Sequence, residues 1–275
     1  MVSFVGLFTR KPGMSRDAYI HRYENGHAKF AMPLTPMMCD YRRSYIVPGS
    51  MTVIPRSRDA SPPSFDSITE IDFESQEKLD ELNRVLAETD AGERIAADEE
   101  QQFDRSKIIL FLTDQCDGPA DQLAPRPGGV KGEPPVKLMG FVSKPAELNR
   151  TAFIDRYENE HAVLATRLLR QDGRPVIAGY KRAYPVEGSP MELPHCPRGA
   201  SLDFDALTSL FFWSEPDMHA FLEVCGNPTK AGVSPEDAAK IFGRETTRML
   251  RVQECVTPHE VIAEKYAAYA AAVTR

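Results

Sequence analysis

Arg22-Tyr23-Glu24-Asn25-Gly26-His27-Ala28 and Arg156-Tyr157-Glu158-Asn159-Glu160-His161-Ala162 differ at a single position, Gly26 against Glu160. The likeness extends outward without a gap: residues 5–28 align with 139–162 at a constant offset of 134, and ten of those 24 positions are identical. A second block, now at an offset of 139, sets Tyr41, Arg43, Tyr45, Val47, Gly49 and Ser50 against Tyr180, Arg182, Tyr184, Val186, Gly188 and Ser189. Phe65, Asp66, Thr69, Phe73 and Ser75 keep that offset against Phe204, Asp205, Thr208, Phe212 and Ser214. The five added residues fall between the blocks, at Gln171-Asp172-Gly173-Arg174-Pro175, a turn-forming composition. The chain is one unit written twice.

Between the copies, Gln115 to Pro135 carries five prolines and four glycines, which removes backbone donors and opposes helix or central strand. The expected organisation is a first unit over 1–114, a linker over 115–135, a second unit over 136–256 and a helical tail over 257–275. In each unit a short Val/Phe/Leu-rich segment (Ser3 to Arg10 in the first) predicts a strand. Ser15 and Asn149 then stand where a side-chain oxygen caps a helix over about 16–29 and 150–169. Strands follow near 42–54, 64–73, 177–186 and 201–213. Helical segments come next at 76–88 and on through 102, and at 215–224 and 235–247. Closing strands are expected at 107–112 and 249–256. The tail spaces Val261, Ile262, Tyr266 and Tyr269 as an amphipathic helix does.

The order βαββαβ is the ferredoxin-like unit, an antiparallel sheet backed by helices on one face. Its helix-free face needs a cover, and two copies in one chain can cover each other. The fold class expected is therefore α+β: two ferredoxin-like βαββαβ units in tandem, forming an intramolecular dimeric α+β barrel.

Composition bounds the function. The chain has 275 residues, 42% hydrophobic and 27% charged, as a folded protein should. With 33 Lys+Arg against 40 Asp+Glu the net charge is -7, and no basic stripe offers a nucleic-acid surface. No apolar run is long enough to span a bilayer and no signal segment opens the chain, so no membrane and a cytoplasmic location are expected. Five scattered cysteines without Cys-x-x-Cys spacing predict neither disulfides nor a structural zinc. Walker, dinucleotide-binding and His-Glu-x-x-His signatures are missing from the sequence. In Leu193-Pro194-His195-Cys196-Pro197 the His-Cys pair has no equivalent in the first copy, and the block reads as a proline-rich loop rather than a metal site.

After the strand, Tyr19, Tyr23, His27 and Ala28, with Phe153, Tyr157, His161 and Ala162, carry a motif that resembles the EthD family of the dimeric α+β barrel superfamily. The resemblance covers both copies but neither linker nor tail. It implies small-molecule chemistry in a pocket between helices and sheet, often without cofactor: dehydration, decarboxylation, isomerisation, cyclisation or oxygenation of aromatic and polyketide-like compounds. Some relatives bind haem.

Tyr19, Tyr23 and His27 recur every fourth residue and share a helix face, as do Phe153, Tyr157 and His161. Imidazole suits proton transfer near neutral pH. His27, His161, Tyr23 and Tyr157 are thus the candidate catalytic residues, the histidines moving a proton and the tyrosines donating to a substrate oxygen. The alternative makes the histidines helix-end residues and the tyrosines core. Arg43, Arg182, Tyr45, Tyr184, Asp66 and Asp205 are the candidate substrate-binding residues, because a guanidinium holds planar anions well. Asp66 and Asp205 can equally serve as structural partners of the two arginines. Glu24 and Glu158 read as orienters of an imidazole or as solvated helix residues. The positions Asp66, Ile68, Glu70, Asp72 and Glu74 correspond to Asp205, Leu207, Ser209, Phe211 and Trp213, which suggests two unequal pockets.

The sequence-level expectation is a cofactor-independent lyase or isomerase of a small hydrophobic oxygenated or aromatic compound, with no metal and no organic cofactor. The rival readings are a monooxygenase, cofactor-free or haem-dependent, and a non-catalytic binding protein. The only partner implied is a small-molecule substrate, with a homodimer through the barrel or C-terminal helix left open.

Overall fold

A computed structural model describes residues 1–53, 61–115, 136–168, 173, 175–196, 199–226 and 247–273. In the first copy, β1 (Val2–Phe8) leads into α1 (Arg16–Arg22), a π-helical turn (Tyr23–His27) and α2 (Ala28–Ala31). Then come β2 (Asp40–Ile46), β3 (Thr52–Val53), β4 (Ser67–Phe73), α3 (Gln76–Glu88), α4 (Ala91–Glu99) and β5 (Ile109–Gln115). The second copy repeats this as β6 (Val136–Val142), α5 (Arg150–Arg156), a π turn (Tyr157–His161), α6 (Ala162–Ala165), β7 (Ile177–Pro185), β8 (Ala206–Phe212), α7 (Glu215–Gly226) and β9 (Arg248–Val256). Helix α8 (His259–Val273) closes the chain.

The two helix starts have a shared physical cause. Ser15 Oγ accepts from the Ala18 amide at 3.2 Å and Asn149 Oδ1 from the Ala152 amide at 2.8 Å, each satisfying an otherwise orphan first-turn donor. Helix one of the second copy ends at Ala165, short of the expected 169. The expected helix through 102 is two helices, because the chain turns at Thr89, whose hydroxyl takes the Val85 carbonyl. The segment 42–54 holds two strands separated by a turn, not one. The helix expected over 235–247 and nearly all of the linker lie outside the described residues.

The sheets run β2-β4-β1-β5 and β7-β8-β6-β9, antiparallel throughout. They are hydrogen-bonded edge to edge as well as opposed face to face. β5 pairs with β7 and β2 with β9, so eight strands close into a barrel with no open seam. β3 adds onto β9.

Closure buries both faces of a strand. In β1, Val5 and Leu7 join a cluster inside the barrel with Ile68, Phe111, Met139 and Phe141, while Phe4 and Phe8 pack under the helices. That double burial explains why β1 and β6 carry apolar residues on both faces rather than a clean alternation. At one end the barrel interior is charged: the fully enclosed Lys137 Nζ lies 2.9 Å from Glu70 and 2.6 Å from Glu254, and donates to Ser44 Oγ at 3.1 Å. Glu70 and Asp72 therefore distinguish the copies inside the barrel, where Lys137 and Lys181 of the second copy answer them, rather than in the helix-side pockets. Among the described residues no helix is long and apolar enough to cross a membrane.

Candidate active site

Both copies build the same arginine clamp. Arg43 reaches from β2 to Glu24 with Nε 2.9 Å from Oε1 and Nη2 2.6 Å from Oε2, and the Tyr45 hydroxyl donates to the same carboxylate at 2.5 Å. Arg182 grips Glu158 through Nε and Nη2, both at 2.8 Å, and Tyr184 donates at 2.5 Å. Each guanidinium stacks on the tyrosine two residues earlier, Tyr41 or Tyr180, and bonds its carbonyl. A bidentate, charge-assisted pair of this kind locks helix one to the sheet. Glu24 and Glu158 are the arginine partners, not solvated residues, and Asp66 and Asp205 are not. The aspartates instead accept backbone amides at the end of the first strand of each copy, from Arg10 at 2.9 Å and Lys144 at 2.8 Å.

Tyr23 and His27 lie elsewhere, beside a cavity of about 120 Å³ between the first copy's helices and sheet. Its walls are mainly apolar, among them Phe4, Met32, Leu86 and Ile95, with Tyr23, Tyr41 and Thr69 at the polar side. Tyr23 Oη is 2.8 Å from Thr69 Oγ1. Burial pushes the Tyr23 and Tyr41 phenols upward, so both stay protonated donors. Tyr19 points to Ser67 at 2.6 Å and belongs to the core.

The His27 ring is held from behind. Its Nδ1 lies 2.8 Å from Asp98 Oδ2 on α4, and Asp98 is also paired with Arg22 from α1. The His27 and Arg22 hydrogen bonds hold the Asp98 carboxyl below its usual range against a partial burial penalty. An anionic carboxylate at Nδ1 fixes the tautomer with Nδ1 protonated and leaves Nε2 as the basic nitrogen. Next along α4, Glu99 also lines the cavity, 3.1 Å from Arg105 Nε. Burial raises its carboxyl although His27 and Arg105 pull it down, so a protonated form lies closer to neutral pH than for a surface glutamate.

Gly26, the one difference in the repeated heptapeptide, has a structural use. A Cβ there would stand 1.8 Å from Arg22 Nη1, so the glycine leaves the space the guanidinium fills on its way to Asp98.

Among the described residues the second copy shows the aromatic part of this arrangement. Tyr180 donates to Tyr157 Oη at 3.1 Å, and Phe153 packs beneath. His161 is part-buried against Tyr157, with ring centroids 4.9 Å apart. Burial, reinforced by Arg182, brings its imidazole down to about 4.

The family profile of the EthD domain matches twice, over residues 11–106 and 145–245. The chain belongs to the EthD family. Among solved structures, an ethyl tert-butyl ether d family protein from Bacillus halodurans is 21% identical and covers 46% of this chain and 98% of its own, with a TM-score of 0.28. A protein from Shewanella oneidensis described as of dyp-type peroxidase kind aligns over 96% of this chain and 94% of its own at 9% identity and a TM-score of 0.51. An anthrone oxidase-like protein aligns over 93% and 92% at 10% identity and a TM-score of 0.48. These likenesses concern the fold. No curated protein matches the chain.

Each EthD repeat thus brings its helix-one tyrosine to the sheet, and the first repeat also joins its histidine to residues that motif spacing alone does not reveal: Asp98, Glu99, Arg105 and the 193–196 segment. The repeat itself carries a signal for two of these, and for Phe103. At the offset of 139, Asp98, Phe103 and Arg105 align with Asp237, Phe242 and Arg244, whereas Glu99 aligns with Ala238. The EthD copies therefore differ in one ionisable group of the site. Asp237, Ala238, Phe242 and Arg244 lie outside the described residues. Among the described residues no group of three or more His, Cys, Asp or Glu side chains could hold a metal ion.

Proposed function

We propose that the first EthD repeat is a proton-transfer site for a small, largely apolar, oxygen-bearing compound, acting as an isomerase or lyase. The observation that carries this is the 2.8 Å contact of His27 Nδ1 with Asp98 in the wall of an apolar cavity. A base with its second nitrogen fixed by a carboxylate is the arrangement that general-base catalysis needs. On this reading His27 Nε2 takes a proton from a carbon next to a carbonyl. The oxygen that gains charge accepts hydrogen bonds from the neutral Tyr23 and Tyr41 hydroxyls. Return of the proton from His27 to another carbon completes an isomerisation; donation of the Glu99 carboxyl proton to a departing hydroxyl completes a dehydration, after which one proton passes from the imidazolium to the Glu99 carboxylate to restore the site.

The cavity volume narrows the occupant. An apolar cavity of ~150 Å³ holds one benzene ring, and about 120 Å³ is of that order. A tetrapyrrole does not fit it, so no step is assigned to haem. Arg43, Arg182, Tyr45, Tyr184, Asp66 and Asp205 are better supported as framework, since their polar atoms serve Glu24, Glu158 and the strand ends. His161 and Tyr157 form a site without the glutamate counterpart.

The test is deuterium incorporation from D₂O into single-ring and short-chain enolisable ketones, followed by proton NMR. The wild-type chain should accelerate exchange for a member of the set and His27→Ala should lose at least about a hundredfold of it, with His161→Ala unaffected. Exchange at the wild-type rate in His27→Ala refutes the assignment.

A further inference from the structure

The connector after β7 leaves its own repeat. The Val186 amide bonds the Leu112 carbonyl at 3.0 Å and the Met191 amide bonds the Leu110 carbonyl at 2.8 Å, so the segment runs along β5 of the first copy. The first copy returns the exchange, with Val47 bonded to the Arg251 carbonyl at 2.9 Å and β3 laid against Met249 and Arg248. These are equivalent pairs at the offset of 139, a two-fold symmetric crossing of connectors. Beyond that point the second connector continues among the described residues. Leu193 and Cys196 close a tight turn through reciprocal amide–carbonyl bonds of 3.1 and 2.9 Å, with His195 in the left-handed region at φ 63°.

That turn sits over the first repeat's cavity. Arg105, already paired with Glu99, donates to the His195 carbonyl. The His195 ring lies so close to α4 that a Cβ on Gly92 would come within 2.6 Å of its Cδ2. Leu193, Pro194 and Cys196 line the same cavity as Tyr23 and His27. Cys196 is 9% exposed, and burial pushes its thiol up to about 11, so it presents a neutral, apolar surface.

We propose that Leu193–Cys196 of the second repeat is the specificity-determining wall of the first repeat's site, limiting its occupant to a single six-membered ring bearing a hydroxyl or carbonyl. The site is thus shared between copies: one supplies the imidazole, the other the size limit. The wall rests on the cavity identified above but not on proton transfer within it.

Phenol and para-cresol, which differ by one methyl group, are the probes, titrated calorimetrically into the full chain. One methylene in an apolar pocket changes discrimination by roughly 10- to 200-fold. The wild-type chain should therefore prefer phenol by at least about tenfold, and Cys196→Ala or Leu193→Ala, checked for an unchanged fold by thermal unfolding, should bring the ratio to about threefold or less. His27→Ala should leave the preference in place. Failure of the wild type to bind phenol, an absence of preference, or a preference unchanged in both wall variants overturns the proposal. A preference that responds to the wall while His27→Ala retains full deuterium exchange leaves the wall standing and removes only the acid–base role.

Discussion

Asp98 Oδ2 and His27 Nδ1 meet at 2.8 Å across 71 residues of chain, joining helix one to the last helix of the same repeat. The pair makes the orientation of the imidazole a property of two elements rather than one. With ¹⁵N-labelled histidine, His27 should show the Nδ1-protonated tautomer at pH 8, and Asp98→Asn should shift it toward the other. The same variant should lower exchange by roughly 10² to 10⁴ while phenol still binds, because the wrong tautomer presents a donor where a base is needed. An Asp98→Asn chain with unaltered tautomer and rate would remove Asp98 from the mechanism.

The arginine clamps predict a strong chemical preference. Arg182 is fully enclosed and doubly bonded to Glu158, and a lysine offers one compact charge in place of a planar fork. Arg182→Lys should therefore destabilise the chain by about 2 kcal/mol or more, and Arg182→Met, which strands a buried carboxylate, by about 3–5 kcal/mol. Urea denaturation at pH 7 measures both. Losses below about 0.5 kcal/mol would show that the clamp is replaceable.

His161 gives the stability a pH dependence of known sign. Its native imidazole titrates near 4, below the ordinary value of about 6.5. Between those values the unfolded chain takes up a proton that the native chain refuses, so this contribution is complete above about pH 6.5 and falls away as the pH drops toward 4. The total is of the order of 3 kcal/mol. His161→Gln should flatten the slope of unfolding free energy between pH 6.5 and 4.5, and an unchanged slope would contradict the part-buried, neutral imidazole.

Much of this fold was legible in the letters, for definite reasons. Ser15 and Asn149 cap because capping is local chemistry, and the duplication located the eight barrel strands near their observed places, though not β3, because two copies report on one pattern. The π turns at Tyr23–His27 and Tyr157–His161 were not legible, since a spacing of four is equally compatible with a regular helix. His27 stood out by recurring. Asp98 recurs too, as Asp237, but within Asp98-Glu99-Glu100 it looks like any solvated acidic run until the sheet folds α4 back over helix one. The connector over the cavity was hidden for a different reason: at the offset of 139 Leu193-Pro194-His195-Cys196 aligns with Ile54-Pro55-Arg56-Ser57, and nothing in either stretch announces which pocket it covers.

The charged end of the barrel interior predicts an asymmetric response to substitution. Burial would raise the Glu70 carboxyl, but Lys137, with Lys181, overcomes this and holds it well below the carboxylate range. Lys137→Met should cost about 3–5 kcal/mol at pH 7 by leaving Glu70 and Glu254 enclosed without their cation, and Lys137→Met with Glu70→Gln and Glu254→Gln should recover much of that loss. In the wild type this contribution is present above about pH 4.3 and is lost as the pH falls toward the lower native value. A single variant as stable as the wild type would refute the pairing.

The enclosed lysine also governs which halves can be mates. Two first halves from separate molecules would set Glu70 opposite Ser3, the residue standing where the second half has Lys137, and would enclose the acid without that lysine. Two second halves would turn Lys137 toward Ser209 instead of Glu70. A first half and a second half satisfy both. Ancestrally identical sequences have in this way become complementary, and the fused gene behaves as a heterodimer whose members cannot be mistaken for one another.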